Sequence, residues 1–207
     1  MTLDNESRKS ITPKKALELL KAGNQRFVNN LKVNRNLLNQ VNDTSGGQYP
    51  FAIILSCIDS RTSAELIFDQ GLGDIFSCRI AGNIINDDII GSMEFACKIA
   101  GAKLIMVLGH TKCGAIKGAC DQVKLGSLTG LLNKIKPAIK LEKKTKKEDR
   151  TSENNEFLEN VTHLNVDVAM HQISKKSSIL KKMIKKGEIT VAGGVYDVGT
   201  GVVNFLD

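Results

Sequence analysis

Apolar residues follow two alternating patterns along the chain. Short continuous apolar runs predict strands at residues 51–56, 74–80, 103–108, 189–195 and 202–206. Such runs are typical of strands buried on both faces of a parallel sheet. The last two runs are separated only by a turn-rich segment, residues 197–201. The fifth strand is therefore expected to run antiparallel to the fourth, at an edge of the sheet.

Between these runs, apolar residues recur at the spacing of helices that bury one face. Thr12 supplies an N-cap and Pro13 a first-turn residue for the first helix. The predicted helices cover residues 12–29, 89–100, 128–142 and 153–185, with Gly101 and Gly187 as end signals and Pro137 as a boundary or kink. Residues 31–50 are polar and rich in Asn and Gly, and they predict irregular structure.

The alternation of strands with helices indicates an α/β fold. We expect a central, mostly parallel β-sheet, with about four parallel strands plus an antiparallel edge strand, flanked by helices. The sequence has no internal repeat and no long linker. Residues 1–207 are therefore expected to form a single domain.

Metal-binding side chains follow two of the predicted strands. Cys57 directly follows the first strand, His110 follows the third, and Cys113 comes three residues later. In an open α/β sheet, ligands gather beyond the carboxyl ends of the strands, so these side chains can meet at one ion. Two thiolates and one imidazole with an open fourth position suit a catalytic zinc ion. The sequence therefore predicts one Zn²⁺ held by these three residues.

A carboxylate and a guanidinium accompany the first of these ligands. Asp59 can reach the same ion, which would close the ligand shell. Alternatively, a bidentate pair with Arg61 would hold Asp59 away and leave the fourth position open. An ordinary salt bridge that braces a tight turn is compatible with either arrangement. The remaining cysteines lack such neighbours and are expected to be structural; they are Cys78, Cys97 and Cys120.

Composition and charge narrow the functional classes. The chain is 42% hydrophobic and 25% charged, as in ordinary globular proteins. The formal net charge is +7, but aromatic residues make up only 4%, so nucleic-acid binding by base stacking is not expected. No apolar run approaches the ~20 residues that span a bilayer. The polar N-terminus and the scattered cysteines favour a cytoplasmic location.

The sequence around these residues resembles the β-class carbonic anhydrases. The resemblance rests on Cys-x-Asp-Ser-Arg at 57–61, Gly-His-x-x-Cys-Gly at 109–114, and the segments 12–29, 71–83 and 194–201. It implies that Cys57, His110 and Cys113 bind zinc and that Asp59 and Arg61 form a dyad that orients the metal-bound hydroxide. It also implies the reaction, in which that hydroxide attacks carbon dioxide to give bicarbonate and a proton.

The same resemblance implies partners and a substrate pocket. The family builds its active site at a dimer interface, so a homodimer or a dimer of dimers is expected, with the N-terminal helix extending toward the dimer partner. One subgroup lines its pocket with a Gln and two aromatics; Gln48, Phe76 and Phe95 lie at the matching spacings, Phe95 in place of a Tyr. Gly114, directly after the last ligand, completes the candidate pocket.

A second subgroup of that family has a closed state that responds to bicarbonate, and it carries a Trp just before the zinc cysteine. This chain has no Trp, and Ile54 lies near that position. The sequence therefore favours the open, water-bound site. Because two thiolates offset the charge of zinc more than neutral imidazoles do, the hydration rate is expected to rise between pH ~7 and ~8.5.

Three alternatives remain open from the sequence. The same site could hydrolyse carbon disulfide or carbonyl sulfide, as relatives of the family do. Asp59 could fill the fourth position permanently, in a zinc scaffold without catalytic activity. The lysines could bind nucleic acid, in which case retention on DNA would depend strongly on salt.

Overall fold

A five-stranded sheet lies at the centre of the part of the chain that the computed structural model describes, residues 3–206. Its strands are β1 (Ala52–Ser56), β2 (Ile75–Arg79), β3 (Leu104–His110), β4 (Thr190–Tyr196) and β5 (Val203–Phe205). The strand order is β2-β1-β3-β4-β5, with β1 to β4 parallel and β5 antiparallel to β4. The predicted α/β fold with an antiparallel edge strand is confirmed.

Ten α-helices lie within the described residues. They are α1 (Asn5–Ser10), α2 (Pro13–Val28), α3 (Leu37–Thr44), α4 (Ala64–Ile67), α5 (Asp87–Glu94), α6 (Gly114–Cys120), α7 (Gly126–Asn133), α8 (Lys136–Leu141), α9 (Asn155–Lys176) and α10 (Ser178–Lys185). A π-helical turn, Phe95–Ile99, extends α5, and short 3-10 turns occupy Ala81–Asn83 and Lys147–Asp149. No helix in residues 3–206 combines the length and the apolar character that crossing a bilayer requires.

The two faces of the sheet pack against different helices. Because side chains alternate along a strand, Ile53 and Leu55 of β1 face a cluster that includes residues of α5, α9 and α10. Ala52 and Ile54 face the opposite cluster, built with α2 and α4. Every residue of β1 and β3 is buried, which explains their continuous apolar sequence. A third cluster, which includes Cys57, lies beyond the carboxyl ends of the strands.

The structure corrects three sequence predictions. Residues 31–50 are not wholly irregular, because Asn36 caps the helix α3. The helix predicted over 153–185 is interrupted at Ser177, whose extended backbone ends α9 and whose side chain caps α10. The third strand continues two residues beyond its predicted end and includes His110. In the 128–142 segment, the boundary expected at Pro137 is present, since that proline lies in the first turn of α8.

A buried carboxylate fixes the segment between α2 and α3. Asp69, two residues after the end of α4, accepts hydrogen bonds from Arg26 and Arg35 at 2.5 Å each and from the backbone N–H of Val33 at 3.2 Å. Its side chain is 2% exposed. Burial opposes its ionisation, but the two arginines outweigh burial and lower its pKa. This ion-pair cluster attaches the 31–36 segment to the body of the molecule.

Candidate metal centre

Three side chains that can bind a metal converge where neighbouring strands end. Cys57 follows β1, and His110 is the last residue of β3, which pairs directly with β1. A tight turn then brings Cys113 to the N-cap of α6, and Lys112 in this turn has a left-handed φ of 57°. The backbone between His110 and Cys113 is therefore a tight turn that is not helical.

The geometry of the three donors fits a tetrahedral cation. The ligand atoms of Cys57, His110 and Cys113 lie within 4.8 Å of one another, and all three residues are buried. The two Sγ atoms are 3.9 Å apart. Nδ1 of His110 lies 2.9 Å from the carbonyl oxygen of Thr111, whereas its buried Nε2 has no hydrogen-bond partner among residues 3–206. A histidine fixed at one ring nitrogen and free at the other is typical of a metal ligand, and the S₂N donor set suits zinc.

The surroundings of the two thiols favour a thiolate on Cys57. The neighbouring Cys113, and to a smaller extent His110, lower the pKa of Cys57. The Cys57 sulfur and burial raise the pKa of Cys113. Gly82, with a left-handed φ of 68°, donates its backbone N–H to Cys57 Sγ at 3.4 Å. Asn165 of α9 in turn donates to the carbonyl oxygen of Gly82 at 2.9 Å.

Asp59 and Arg61 form a bidentate ion pair beside the donors. Nε of Arg61 donates to Oδ1 of Asp59 at 2.9 Å, and Nη2 donates to Oδ2 at 2.8 Å. The backbone N–H of Arg61 also donates to Oδ1, at 3.0 Å. These hydrogen bonds hold the pKa of Asp59 well below its usual range. The Asp59 carboxylate is therefore ionised at neutral pH and turned toward Arg61.

The remaining predicted pocket residues are distributed around the sheet. The rings of Phe76 and Phe95 meet edge to face, 6.2 Å apart, and line a groove beside the edge strand β2 that contains none of the three metal donors. Gln48 lies beside Gly73, just before β2 begins. Since the donors lie beyond the other ends of the strands, about 16 Å of strand separates Gln48 from them in its own chain. Gly114 is exposed and borders open space.

The other cysteines and histidines stay apart from the donor cluster. Burial raises the pKa of Cys97 to about 12 and the pKa of Cys120 to about 11. Burial also raises the pKa of Cys78. The three thiols therefore stay protonated at neutral pH, as their predicted structural role requires. Nδ1 of His171 lies 2.8 Å from the backbone carbonyl of Asp167, within α9.

Several polar groups around the site were not identified from the sequence. Arg79, at the end of β2, and Thr62 both contact backbone carbonyls of the Cys57–Asp59 turn. Gly82 and Asn165 act on the Cys57 sulfur through the two hydrogen bonds described above. Arg79 and Gly82 belong to the 71–83 segment noted in the sequence, which is the signal that could have drawn attention to them. Asn165 has no comparable signal.

Comparisons with known proteins agree with this geometry. The sequence model of a family described as "Carbonic anhydrase" matches residues 52–203. The chain is 34% identical to "Carbonic anhydrase 2" of Mycobacterium tuberculosis over 197 residues, which cover 91% of this chain and 90% of the relative. It is similar in structure to the b-carbonic anhydrase CafA of Aspergillus fumigatus, with a TM-score of 0.70, 27% identity and coverage of 82% of this chain and 81% of the other.

A second solved structure shares the fold at lower identity. It is one of two tetrameric beta-carbonic anhydrases from Sordaria macrospora, with a TM-score of 0.68 and 22% identity. The match covers 81% of this chain and 89% of that chain. At this identity the likeness concerns the fold alone.

Proposed function

The chain belongs to the β-carbonic anhydrase family and is a carbonic anhydrase, and from this premise we propose how its own residues carry out the reversible hydration of carbon dioxide to bicarbonate and a proton. The observation that carries the proposal is the buried S₂N cluster, in which Nε2 of His110 lacks a hydrogen-bond partner in the described part of the chain. We infer that Cys57, His110 and Cys113 hold one Zn²⁺ per subunit. When bound, zinc supplies a Lewis acid that makes water ionise near neutral pH.

Asp59 acts as an acceptor that orients the nucleophile. Oδ1 accepts from both Nε and the backbone N–H of Arg61, whereas Oδ2 accepts only from Nη2 and so retains a lone pair for the nucleophile. Because the pKa of Asp59 is lowered, the carboxylate accepts a hydrogen bond at neutral pH and does not take up the proton. Asp59 therefore fixes the direction from which the nucleophile approaches carbon dioxide. The released proton leaves through buffer.

The pairing of Asp59 with Arg61 also bears on the scaffold alternative. A zinc scaffold without activity needs the Asp59 carboxylate as a permanent fourth ligand. Both Asp59 oxygens accept hydrogen bonds from the Arg61 guanidinium, and the Asp59 side chain is 18% exposed. This arrangement supports the catalytic proposal, since it leaves the fourth position to solvent.

The substrate pocket is proposed to form between two subunits. Gln48 lies before the start of β2, whereas the metal donors of its own chain lie beyond the carboxyl ends of the strands. The groove lined by Phe76 and Phe95 contains none of the metal donors. Phe95 is 55% exposed. Three large apolar residues of α3 are also exposed: Leu37, Leu38 and Val41. A homodimer, or a dimer of dimers, would cover these apolar surfaces and bring Gln48 of one subunit to the metal centre of the other.

A cytoplasmic location is proposed on chemical grounds. All five cysteines are free, and the proposed zinc ligands include two of them. Free thiols of this kind are typical of compartments that keep cysteines reduced, such as a cytoplasm.

Stopped-flow hydration of carbon dioxide on metal-quantified protein tests the proposed function. We expect activity that is lost on treatment with a zinc chelator and restored by adding Zn²⁺ back. Carbon disulfide assayed side by side is expected to be the poorer substrate. Activity that is unchanged after complete removal of the metal would contradict the proposal.

A further inference from the structure

Arg79 contacts the backbone on both sides of the catalytic carboxylate. Its Nε donates to the carbonyl oxygen of Cys57 at 3.0 Å, and its Nη2 donates to the carbonyl oxygen of Asp59 at 2.6 Å. Nη2 also lies 3.5 Å from the hydroxyl of Thr62. One guanidinium on a neighbouring strand thus binds two carbonyls of the turn that carries a zinc ligand and the dyad aspartate.

These two hydrogen bonds restrict how the turn can move. The carbonyl of Cys57 belongs to the peptide unit before Ile58, and the carbonyl of Asp59 belongs to the unit after Asp59. Fixing both units restricts the backbone dihedrals between them, and therefore the direction in which the Asp59 side chain leaves the backbone. Thr62, 1% exposed, adds its backbone N–H and hydroxyl to the same Asp59 carbonyl.

Arg79 itself is well placed to act as a fixed support. It is the last residue of β2 and pairs in register with Ser56, the residue before Cys57. The backbone N–H of Ile80 donates to the carbonyl of Ser56 at 3.0 Å, which holds the end of β2 beside the turn. The guanidinium is therefore anchored to the same sheet that positions the metal donors.

We propose that Arg79 is a positioning residue that keeps Asp59 turned toward Arg61 and away from the metal. The inference rests on the proposed function, because it concerns the fourth position of the zinc site. Asp59 is only two residues from Cys57, so a turn released from Arg79 lets the carboxylate reach the ion. Arg79 does not touch substrate; it acts through the backbone of the turn.

The test uses full-length protein in which Co²⁺ replaces Zn²⁺, because the visible spectrum of Co²⁺ reports its ligands without an activity assay. Thiocyanate, an anion that binds at an open metal position, is the probe. The variants are Arg79→Ala, Arg79→Lys and the double variant Arg79→Ala with Asp59→Asn. Arg8→Ala is the matched control, since Arg8 also donates to a backbone carbonyl, that of Gly101, at 3.0 Å, away from the donors.

The expected result separates positioning from simple structural support. Wild type and Arg8→Ala change their cobalt spectrum with thiocyanate, and Arg79→Ala does not, because Asp59 occupies the fourth position. The double variant recovers the response, and Arg79→Lys recovers part of it. In the zinc forms, Arg79→Ala keeps its metal and loses about 10- to 100-fold in kcat with little change in KM, and added guanidinium restores part of kcat.

Two results would overturn the inference and are distinct from failure of the proposed function. If Arg79→Ala keeps the full thiocyanate response and wild-type kcat, Arg79 does not position Asp59. If Arg79→Ala and Arg8→Ala lose thermal stability alike, and both keep the wild-type cobalt spectrum and its response to thiocyanate, Arg79 is only a structural support. Failure of the proposed function itself would appear as an inactive wild type that binds zinc.

Discussion

Asp59 has two alternative cationic partners, the guanidinium of Arg61 and the zinc ion that Cys57 is proposed to bind. The structure has it bound to Arg61 through both oxygens. This choice decides whether the site has an open position, so a single carboxylate separates an enzyme from a scaffold. The first prediction concerns this residue.

In Asp59→Asn, we expect zinc to be retained and kcat to fall by about 10- to 100-fold, because the amide cannot orient the nucleophile as the carboxylate does. The hydrogen bonds from Arg61 lower the pKa of Asp59, so the carboxylate stays ionised at every pH above the usual pKa of an aspartate. The ratio of wild-type to variant rates is therefore expected to be constant from pH 6 to pH 9 in stopped-flow assays.

The matched control for this variant is Glu188→Gln, which removes an exposed carboxylate whose ion pair with Lys186 spans 3.7 Å. It should leave kcat unchanged. Wild-type activity in Asp59→Asn would show that the carboxylate has no part in turnover.

Single residues also show where sequence reasoning succeeds. The clustering of the three donors could be predicted because Cys57 and His110 lie at strand ends and Cys113 follows His110 by three residues. Arg79 could not, because its partners are 20 and 22 residues away and an arginine on an edge strand is ordinarily a solvated side chain. Asn165 lies 83 residues from Gly82, and only the packing of α9 on the sheet brings them together.

Among the secondary-structure elements, the buried strands were the most predictable. β1 and β3 are covered on both faces, so their apolar runs mark them clearly, although β3 continues past its run through Gly109 and His110. The helix α3 was missed because it is short and lies in an Asn-rich segment, and its apolar residues Leu37, Leu38 and Val41 are exposed rather than packed on the core. The break between α9 and α10 was missed because helical periodicity continues through Ser177, whose role is a cap and a hydrogen bond to Glu94.

The Asp69 cluster gives a prediction about stability. In Asp69→Asn, Arg26 and Arg35 lose a buried ionic partner, and we expect the free energy of unfolding to fall by about 3 kcal/mol in urea titrations. The folded pKa of Asp69 is below its unfolded value, so its stabilisation is present above pH ~4 and is lost as the pH falls through the folded pKa.

The variant should therefore lose less stability than wild type when the pH is lowered below ~4. The control is Glu6→Gln, whose exposed pair with Lys9 should change stability by less than about 0.5 kcal/mol. Equal urea midpoints for Asp69→Asn and wild type at pH 7 would mean that the cluster contributes nothing to the fold.

On the scale of the whole molecule, the proposed active site requires two chains. The donors lie beyond the carboxyl ends of β1 and β3, whereas Gln48 lies before the start of β2. In the proposed dimer, one subunit therefore holds the metal centre while its partner supplies the amide. Complementation between two inactive chains tests this division. One chain carries His110→Ala and an intact Gln48; the other carries Gln48→Ala and intact donors.

Each homodimer of these chains is expected to be impaired, while the co-expressed heterodimer regains one intact site and with it carbon dioxide hydration. Light scattering after size exclusion should give a mass two or four times that of the chain. A heterodimer no more active than its parents would place Gln48 outside the site, and a monomeric mass would remove the proposed interface.

The central claim is that two sulfurs and one imidazole nitrogen hold zinc and leave its fourth position to solvent. X-ray absorption spectroscopy at the zinc edge, on freshly purified protein, measures this most directly. The account predicts two sulfur ligands at about 2.3 Å and two light atoms at about 2.0–2.1 Å, unchanged in Asp59→Asn. Protein without zinc, zinc without two sulfur ligands, or a light-atom ligand that changes in Asp59→Asn would contradict it.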